Sequence, residues 1–181
     1  GGHRGMFLTD DIDAQPGLMA LLPQVVDAVK APVIAAGGIA DGRGIAAALM
    51  LGASAAQIGT AYLLSPQAST SAVHRAALKA GRDDTTRLTN LFTGRPARGH
   101  LNRYMREQGP MNASAPAFPL ATGAITPLRT HAEKAGSGDF SPLWSGEAAP
   151  LAHEEDAAAF TRRVWADARA RIGSVAGRTA G

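Results

Sequence analysis

The chain has 181 residues, a formal net charge of +3 and a sequence pI of about 9.8. It contains no cysteine, which excludes disulfides, thiolate nucleophiles and thiolate-bound metals. No run approaches the roughly 18 apolar residues of a membrane span, so we expect a cytoplasmic protein without a membrane partner. The positive charge suits anionic small molecules, whereas the 5% aromatic content and the scattered arginines do not favour a nucleic-acid partner.

The first residues predict a loop followed by a helix. Gly1–Thr9 is rich in glycine, and the pattern that follows implies a strand before it. We therefore expect the chain to be a piece of a longer protein. The run 23–29 places valines on one face at helical spacing, and Pro23 suits the first turn of a helix.

The clearest pattern follows this helix. The apolar run 32–36 predicts a strand buried on both faces, and it ends in the pair Gly37-Gly38. Asp41 is a suitable N-cap for the next helix, and Gly52 is a natural stop just past its end. This order predicts a strand, a glycine turn and a helix in close succession.

A second strand, 55–58, ends in a second glycine turn, Gly59-Thr60. Glycine at a strand end lets backbone N–H groups approach an anion without a Cβ in the way. The helix–strand–helix–strand order predicts a parallel sheet or barrel, and phosphates in (β/α)8 barrels commonly bind after the last two strands. From the residues alone, an anion cradle and close helix–strand packing explain these glycines equally well.

The second half predicts short elements rather than further barrel units. A strand over 85–92 precedes a basic loop at 94–99. Helices are predicted over 67–81, 100–108, 128–135 and 154–172, and the residues after 172 are expected to fray. The predicted parts are strand–helix units over 1–84, a small cap or substrate domain over 85–150, and a C-terminal helix over 151–181 that returns to the first part.

Several segments together resemble the nitronate monooxygenases, which are FMN-dependent TIM-barrel enzymes. The segments are GGHRG at 1–5, PVIAAGGIADGRG at 32–44, AAQIGT at 55–60, TNLFTGRPARGHLNR at 89–103 and FSPLWSGEAAPL at 140–151. The resemblance implies an α/β fold, the C-terminal part of an FMN-binding (β/α)8 barrel with a small α-rich cap domain. It also implies that roughly the N-terminal half of such an enzyme is missing from this chain.

The candidate site residues are of two kinds. His3 is the candidate general base, because an imidazole that titrates near neutrality suits removal of the acidic α-carbon proton of a nitroalkane. The residues alone favour a loop histidine that hydrogen-bonds to the backbone, and it is the resemblance that favours the general base. The resemblance carries FMN contacts onto Gly1, Gly37, Gly38, Gln57, Ile58, Gly59 and Thr60. No His, Asp or Glu residues have metal-ligand spacing, so no metal is expected.

The hypothesis is an FMN-dependent oxidoreductase that oxidises nitronates or nitroalkanes with O2 to carbonyl compounds and nitrite. One alternative is an FMN-dependent enoyl-acyl-carrier-protein reductase, which also carries a GGH turn. Another is a truncated, inactive fragment that binds flavin or phosphate. Half a barrel leaves sheet edges unpaired, so a homo-oligomer is compatible with each. Glu147 lies at a position where the family that the chain resembles usually has glutamine. A carboxylate near an anionic substrate would be unfavourable.

Overall fold

In the computed structural model, which describes residues 1–6, 8–9, 11–82 and 85–179, a strand–helix–strand unit precedes a mostly helical region. The helices are α1 (Leu18–Ala28), α2 (Gly42–Met50), α3 (Ala72–Ala80), α4 (Arg103–Gln108), α5 (Leu120–Lys134) and α6 (Ala157–Thr179). The strands are β1 (Ile34–Ala36), β2 (Ala55–Gln57), β3 (Thr86–Thr89) and β4 (Ala97–His100). Short 3₁₀ helices lie at Thr60–Leu64 and Ala149–Leu151. The predicted boundary at residue 84 falls outside the described residues.

The strands form two separate pairs. β1 and β2 are parallel, with Ala36 opposite Gln57 at their ends, and α2 connects them. Parallel strands end at the same edge of a sheet, so the turns that follow β1 and β2 are neighbours. β3 and β4 are antiparallel, and Gly99 of β4 also forms a bridge with Trp144.

Both ends of α2 are built as the sequence predicts. The Asp41 carboxylate accepts hydrogen bonds from the backbone N–H groups of Arg43 (2.9 Å) and Gly44 (3.2 Å), which have no partner inside the helix. Gly52 has a φ of 97°, and its N–H donates to the Leu49 carbonyl at 3.0 Å. The predicted N-cap and glycine stop are therefore confirmed.

The buried side chains form separate clusters. The largest joins α1, the parallel strands, α2 and α6, where Ile45 of α2 and Phe160, Val164 and Ala168 of α6 are all buried. A second cluster belongs to the region after β3 and contains Leu91, Phe92, Met105 and Ile125. α6 thus packs on the parallel-strand unit, although the chain reaches it only after the second cluster.

β1 differs from the predicted strand. The prediction was a strand over 32–36 that is buried on both faces. β1 has only three residues, of which Ala35 is 2% exposed while Ile34 is 60% exposed. β1 is therefore covered on the Ala35 face alone in the described structure.

Two helices begin earlier than predicted because proline was given too much weight as a helix breaker. α1 begins at Leu18, so Pro23 lies inside the helix rather than in its first turn. α5 begins at Leu120 and continues through Pro127. An interior proline removes one helical hydrogen bond, and burial of the Ile125 side chain helps to offset that cost.

The predicted basic loop at 94–99 is also wrong in part. Only its beginning forms a turn, with Gly94 at a φ of 89°, and β4 starts at Ala97. Of the strand predicted over 85–92, only β3 (Thr86–Thr89) forms. Short strands with glycine and arginine carry no clear alternation of apolar and polar residues, so the sequence contained little signal for β4.

Side-chain caps set two other helix starts. The Ser71 hydroxyl accepts from the His74 N–H, so α3 begins after Ser71 rather than at residue 67. The Asn102 side chain accepts from the Met105 N–H, so α4 begins after Asn102.

α6 is longer than predicted and ends at Thr179 rather than at residue 172. It carries arginines along its length and packs by a narrow apolar face. Among the described residues, no helix combines the length and the apolar character needed to cross a membrane.

Gly42 is expected to be required for the contact between α2 and α6. A Cβ at this position would lie 2.7 Å from the backbone nitrogen of buried Ala168, so Gly42→Ala forces the helices apart and should lower the free energy of unfolding by about 1–3 kcal/mol. Gly173→Ala is the control, because Gly173 lies in α6 with open space around it and should gain about 0.4–1 kcal/mol. Urea unfolding of both variants measures the difference, and equal stabilities would contradict it.

Candidate active site

Three loops converge where β1 and β2 end. They are the N-terminal loop, the glycine turn after β1 and the turn after β2, and they enclose a cavity of about 320 Å³. The predicted site residues that line it are His3, Gly37, Gly38, Gln57, Gly59 and Thr60. Ligand sites of α/β folds characteristically lie at this end of the strands.

The first contact in this site is between two pieces of glycine backbone. Gly37 and Gly38 have φ values of 110° and 71°, a region that side chains disfavour. A Cβ added to Gly1 would lie 3.0 Å from the Gly38 Cα, and one added to Gly2 would lie 3.0 Å from the Gly37 Cα. These glycines are therefore needed for the close approach of the N-terminal loop to the end of β1.

The turn after β2 has a different character. A Cβ at Gly59 would have no atom of the described residues within 4 Å, so packing within this part of the chain does not require a glycine there. The Thr60 Oγ1 accepts a hydrogen bond from the Gly146 N–H at 2.9 Å, which leaves the hydroxyl proton available as a donor. This turn thus combines open backbone with a hydroxyl whose position is fixed.

A segment of the second half closes the cavity. Residues 144–147, which we name the 144–147 strap, contribute Trp144, Ser145 and Gly146 to its lining. The Ser145 N–H donates to the Arg98 carbonyl at 3.1 Å, and the Glu147 N–H donates to the Gly1 carbonyl at 2.8 Å. The strap therefore bonds to β4, to the N-terminal loop and to Thr60.

His3 lies at the junction of three cavities. Its side chain is exposed, and in the part of the chain that the structure describes the imidazole has no hydrogen-bond partner. Its backbone carbonyl accepts from the Arg98 N–H. Arg4, the next residue, has a φ of 50°, which is unusual for a residue other than glycine and marks local backbone strain. The backbone is thus held while the imidazole stays available to a ligand.

One predicted residue lies elsewhere, and several lining residues were missed. The Ile58 side chain packs against the main core and lines a different groove beside Trp165. Gly1 contacts the cavity wall through Gly38 but does not line the cavity. The missed lining residues are Gly2, Ala36, Ile39, Ala40, Leu63, Trp144, Ser145, Gly146 and Ala148. The FSPLWSGEAAPL segment at 140–151 was the available signal for the strap, but the resemblance carried no site role onto it.

Trp144 both lines the cavity and packs against the second cluster. Its ring packs edge-to-face on Phe92 of the second cluster, with centroids 5.8 Å apart. Its carbonyl lies 2.9 Å from the Nε2 of half-buried His74. The strap is thereby anchored in the second cluster while it lines the cavity.

Two histidines without a predicted role support this anchor. Burial lowers the pKa of His74, although the hydrogen bond to Trp144 raises it, and burial likewise lowers the pKa of His100. The nearby His74 lowers the pKa of His100 further. Both imidazoles are therefore neutral near pH 7, and neutral His74 with its proton on Nε2 donates to the Trp144 carbonyl.

These features define a class of site. It is a cavity at the C-terminal ends of parallel strands, walled by glycine backbone and reached by one unpartnered histidine. In the described ranges, no three His, Asp or Glu side chains converge as metal ligands. The arrangement has room for a small molecule, presents backbone groups to it and offers a proton acceptor.

Comparisons with known proteins narrow this class. The sequence model of the family described as nitronate monooxygenase matches residues 1–160. A nitronate monooxygenase from Pseudomonas aeruginosa is 44% identical over 170 residues, which cover 93% of this chain and 48% of that protein. Nitroalkane oxidase from Streptomyces ansochromogenes superimposes with a TM-score of 0.86 at 42% identity, over 97% of this chain and 50% of that one. FabK from Thermotoga maritima has a TM-score of 0.78 at 27% identity, over 98% and 54%.

The chain therefore belongs to the nitronate monooxygenase family, a family of oxidoreductase enzymes. The resemblance stated from the sequence motifs is confirmed. The chain spans about half the length of the curated relatives it matches.

The lowered pKa values of the two histidines predict a stability that depends on pH. Each imidazole has a lower pKa in the folded chain than the ordinary value of about 6.5, so the unfolded state binds more protons as the pH falls through that value. The free energy of unfolding should therefore fall between about pH 7 and pH 5.

His74→Gln should reduce this slope, because a glutamine Nε2 can still donate to the Trp144 carbonyl but does not titrate. The control is His153→Gln, which alters an exposed histidine and should keep the original slope. Urea unfolding at a series of pH values measures each slope. If the free energy of unfolding of His74→Gln depends on pH as steeply as that of the unaltered chain, protonation of His74 does not contribute to the pH dependence.

Proposed function

We propose that the protein carrying this chain is an FMN-dependent nitronate monooxygenase that oxidises nitronates or nitroalkanes with O2 to carbonyl compounds and nitrite. We also propose that β1, α2 and β2 belong to a (β/α)8 barrel. The observation that carries the proposal is the convergence of His3 and two glycine turns on one cavity. Membership of the family supports the general class, oxidoreductase.

The residues of the cavity fit an anionic phosphate ester. Gly38 and Gly59 present backbone without side chains, and the space beside Gly59 is open. Thr60 keeps a hydroxyl proton to donate. Gln57 and Gly37 line the same cavity. We assign the phosphate of FMN to Gly38, Gly59 and Thr60, and FMN would supply the electron transfer that no side chain in the cavity can provide.

His3 has the chemistry for the proton step. A neutral nitroalkane must lose its α-carbon proton, and the electrons of that C–H bond move to the nitro group to form the nitronate. The unpartnered imidazole can accept this proton, and its position in the lining of the cavity supports this role. A nitronate has already lost the proton, so this step is needed for one form of the substrate only.

Gly59→Val tests the phosphate assignment. The Cβ at this position meets no protein atom, so the variant should fold, while its branched side chain occupies the space in which the phosphate would lie. Loss of one charge-assisted contact should weaken FMN binding about 10- to 100-fold. The measurement is the dissociation constant of FMN for the full-length apo-protein.

The matched control is Gly17→Val, at another open glycine whose extended backbone (φ −66°, ψ 155°) accepts a β-branched residue. It should bind FMN like the unaltered protein. Gly38→Val is a poorer test, because its φ of 71° strains any side chain and disturbs the fold as well. Unchanged FMN affinity in Gly59→Val would place the phosphate elsewhere.

His3→Asn tests the proton step. In the full-length enzyme it should lower turnover of a neutral nitroalkane by about 10²–10⁴-fold, the usual range for loss of an acid–base catalyst. Oxidation of the corresponding nitronate should fall much less, and FMN content should not change. The kcat/KM values for both substrate forms measure the effect. An equal loss on both forms would mean that His3 binds the anion rather than removing a proton.

The same assays separate the alternatives. An enoyl-acyl-carrier-protein reductase would consume NAD(P)H with an enoyl thioester, whereas a nitronate monooxygenase releases nitrite without NAD(P)H. A catalytically inactive chain would bind flavin or phosphate and do neither. The cytoplasmic location and the homo-oligomer stay predictions.

A further inference from the structure

Arg98 lies between the loop that carries His3 and the 144–147 strap. On one side its backbone N–H donates to the His3 carbonyl, and on the other its carbonyl accepts from the Ser145 N–H at 3.1 Å. Any movement of Arg98 therefore moves the His3 backbone and the strap together.

The Arg98 side chain reaches the strap a second time. Its Nη2 lies 3.0 Å from the Oε1 of Glu147, and its Nη1 donates to the Thr86 Oγ1 at 3.2 Å. The Arg98 side chain is only 12% exposed, whereas that of Glu147 is 47% exposed. The pair joins β4 to the residue whose N–H holds the Gly1 carbonyl.

Glu147 compensates a concentration of positive charge. Burial lowers the pKa of Arg98, the Glu147 carboxylate raises it, and the nearby Arg4 and Arg87 lower it further. Removal of the Glu147 carboxylate alone would leave a largely buried guanidinium uncompensated, which is strongly unfavourable.

Neither member of the pair lines any of the cavities at His3. The guanidinium is therefore not placed to bind a ligand there, and the Glu147 charge is directed at Arg98 rather than into the cavity. This geometry removes the conflict expected from a carboxylate beside an anionic substrate.

We propose that the Arg98–Glu147 pair is a positioning device for His3. It fixes the His3 carbonyl and the strap relative to each other, and so sets where the imidazole meets the cavity. The inference rests on the proposed role of His3 as a base. Whether the pair fixes the position of the His3 loop and the strap can be measured without any enzyme assay.

The test uses Arg98→Met in the full-length protein, with Arg103→Met as the matched control. Arg103 forms an exposed ion pair with Glu107 in α4 at 2.6 Å and is absent from the cavity walls. Hydrogen–deuterium exchange should rise in residues 1–6 and 144–147 of Arg98→Met only. The His3 imidazole resonance in the NMR spectrum should shift in the same variant only.

The kinetic arm compares the two substrate forms. Arg98→Met should lower kcat for a neutral nitroalkane about 10- to 100-fold through misplacement of the base, with little change in KM or in nitronate oxidation. Glu147→Gln keeps a hydrogen-bond acceptor for Arg98, so its kcat should fall less than that of Arg98→Met. Arg98→Lys keeps the positive charge and should likewise retain more of the rate than Arg98→Met. These two variants also serve if Arg98→Met does not fold.

Unchanged exchange and an unchanged His3 resonance would overturn the positioning role. Faster exchange with no shift of the His3 resonance would show that the pair only stabilises the strap, and would overturn it too. If the unaltered enzyme shows no turnover of nitroalkanes, the proposed function fails. The exchange and the resonance would still decide the role of the pair.

Discussion

The site depends on a backbone contact that only glycine permits. The pair Gly1-Gly2 lies against Gly37-Gly38 so closely that a Cβ on either member of the first pair would come within 3.0 Å of the opposite backbone. This contact places the loop of His3 over the end of β1. From the other side, the N–H groups of Arg98 and Glu147 bond to carbonyls of the same loop. The loop of His3 is therefore fixed on one side by the glycine turn after β1 and on the other by hydrogen bonds from the second half of the chain.

The parts of the fold that could be predicted are those determined within a few residues. An N-cap such as Asp41 satisfies N–H groups two and three positions away, and a stop such as Gly52 needs only its own backbone conformation, so both are visible in sequence. The convergence of the two glycine turns also follows from sequence, because parallel strands end at one edge. The resemblance added His3, whose chemical role no local pattern specifies.

The parts that could not be predicted depend on partners distant in sequence. The bridge between Gly99 and Trp144 places the strap beside β4, and nothing near Trp144 in sequence indicates it. Pro127 resembles a helix end, yet α5 continues because its buried face packs on the second cluster. Ile58 packs against the main core and lines another groove, a placement that the AAQIGT motif does not encode. Long-range packing decided each of these cases.

The strap also changes how the glycines should be interpreted. Close packing already accounts for glycine at positions 37 and 38, so their part in the proposed site rests on the backbone that they present to the cavity. Gly59 has no such explanation among the residues that the structure describes, because none of their atoms lies within 4 Å of a Cβ added there. Its neighbour Thr60 is fixed by a hydrogen bond from Gly146, a residue that belongs to the strap and not to the sheet. The open space beside Gly59 and the fixed Thr60 hydroxyl are therefore the features that support the proposed phosphate site most directly.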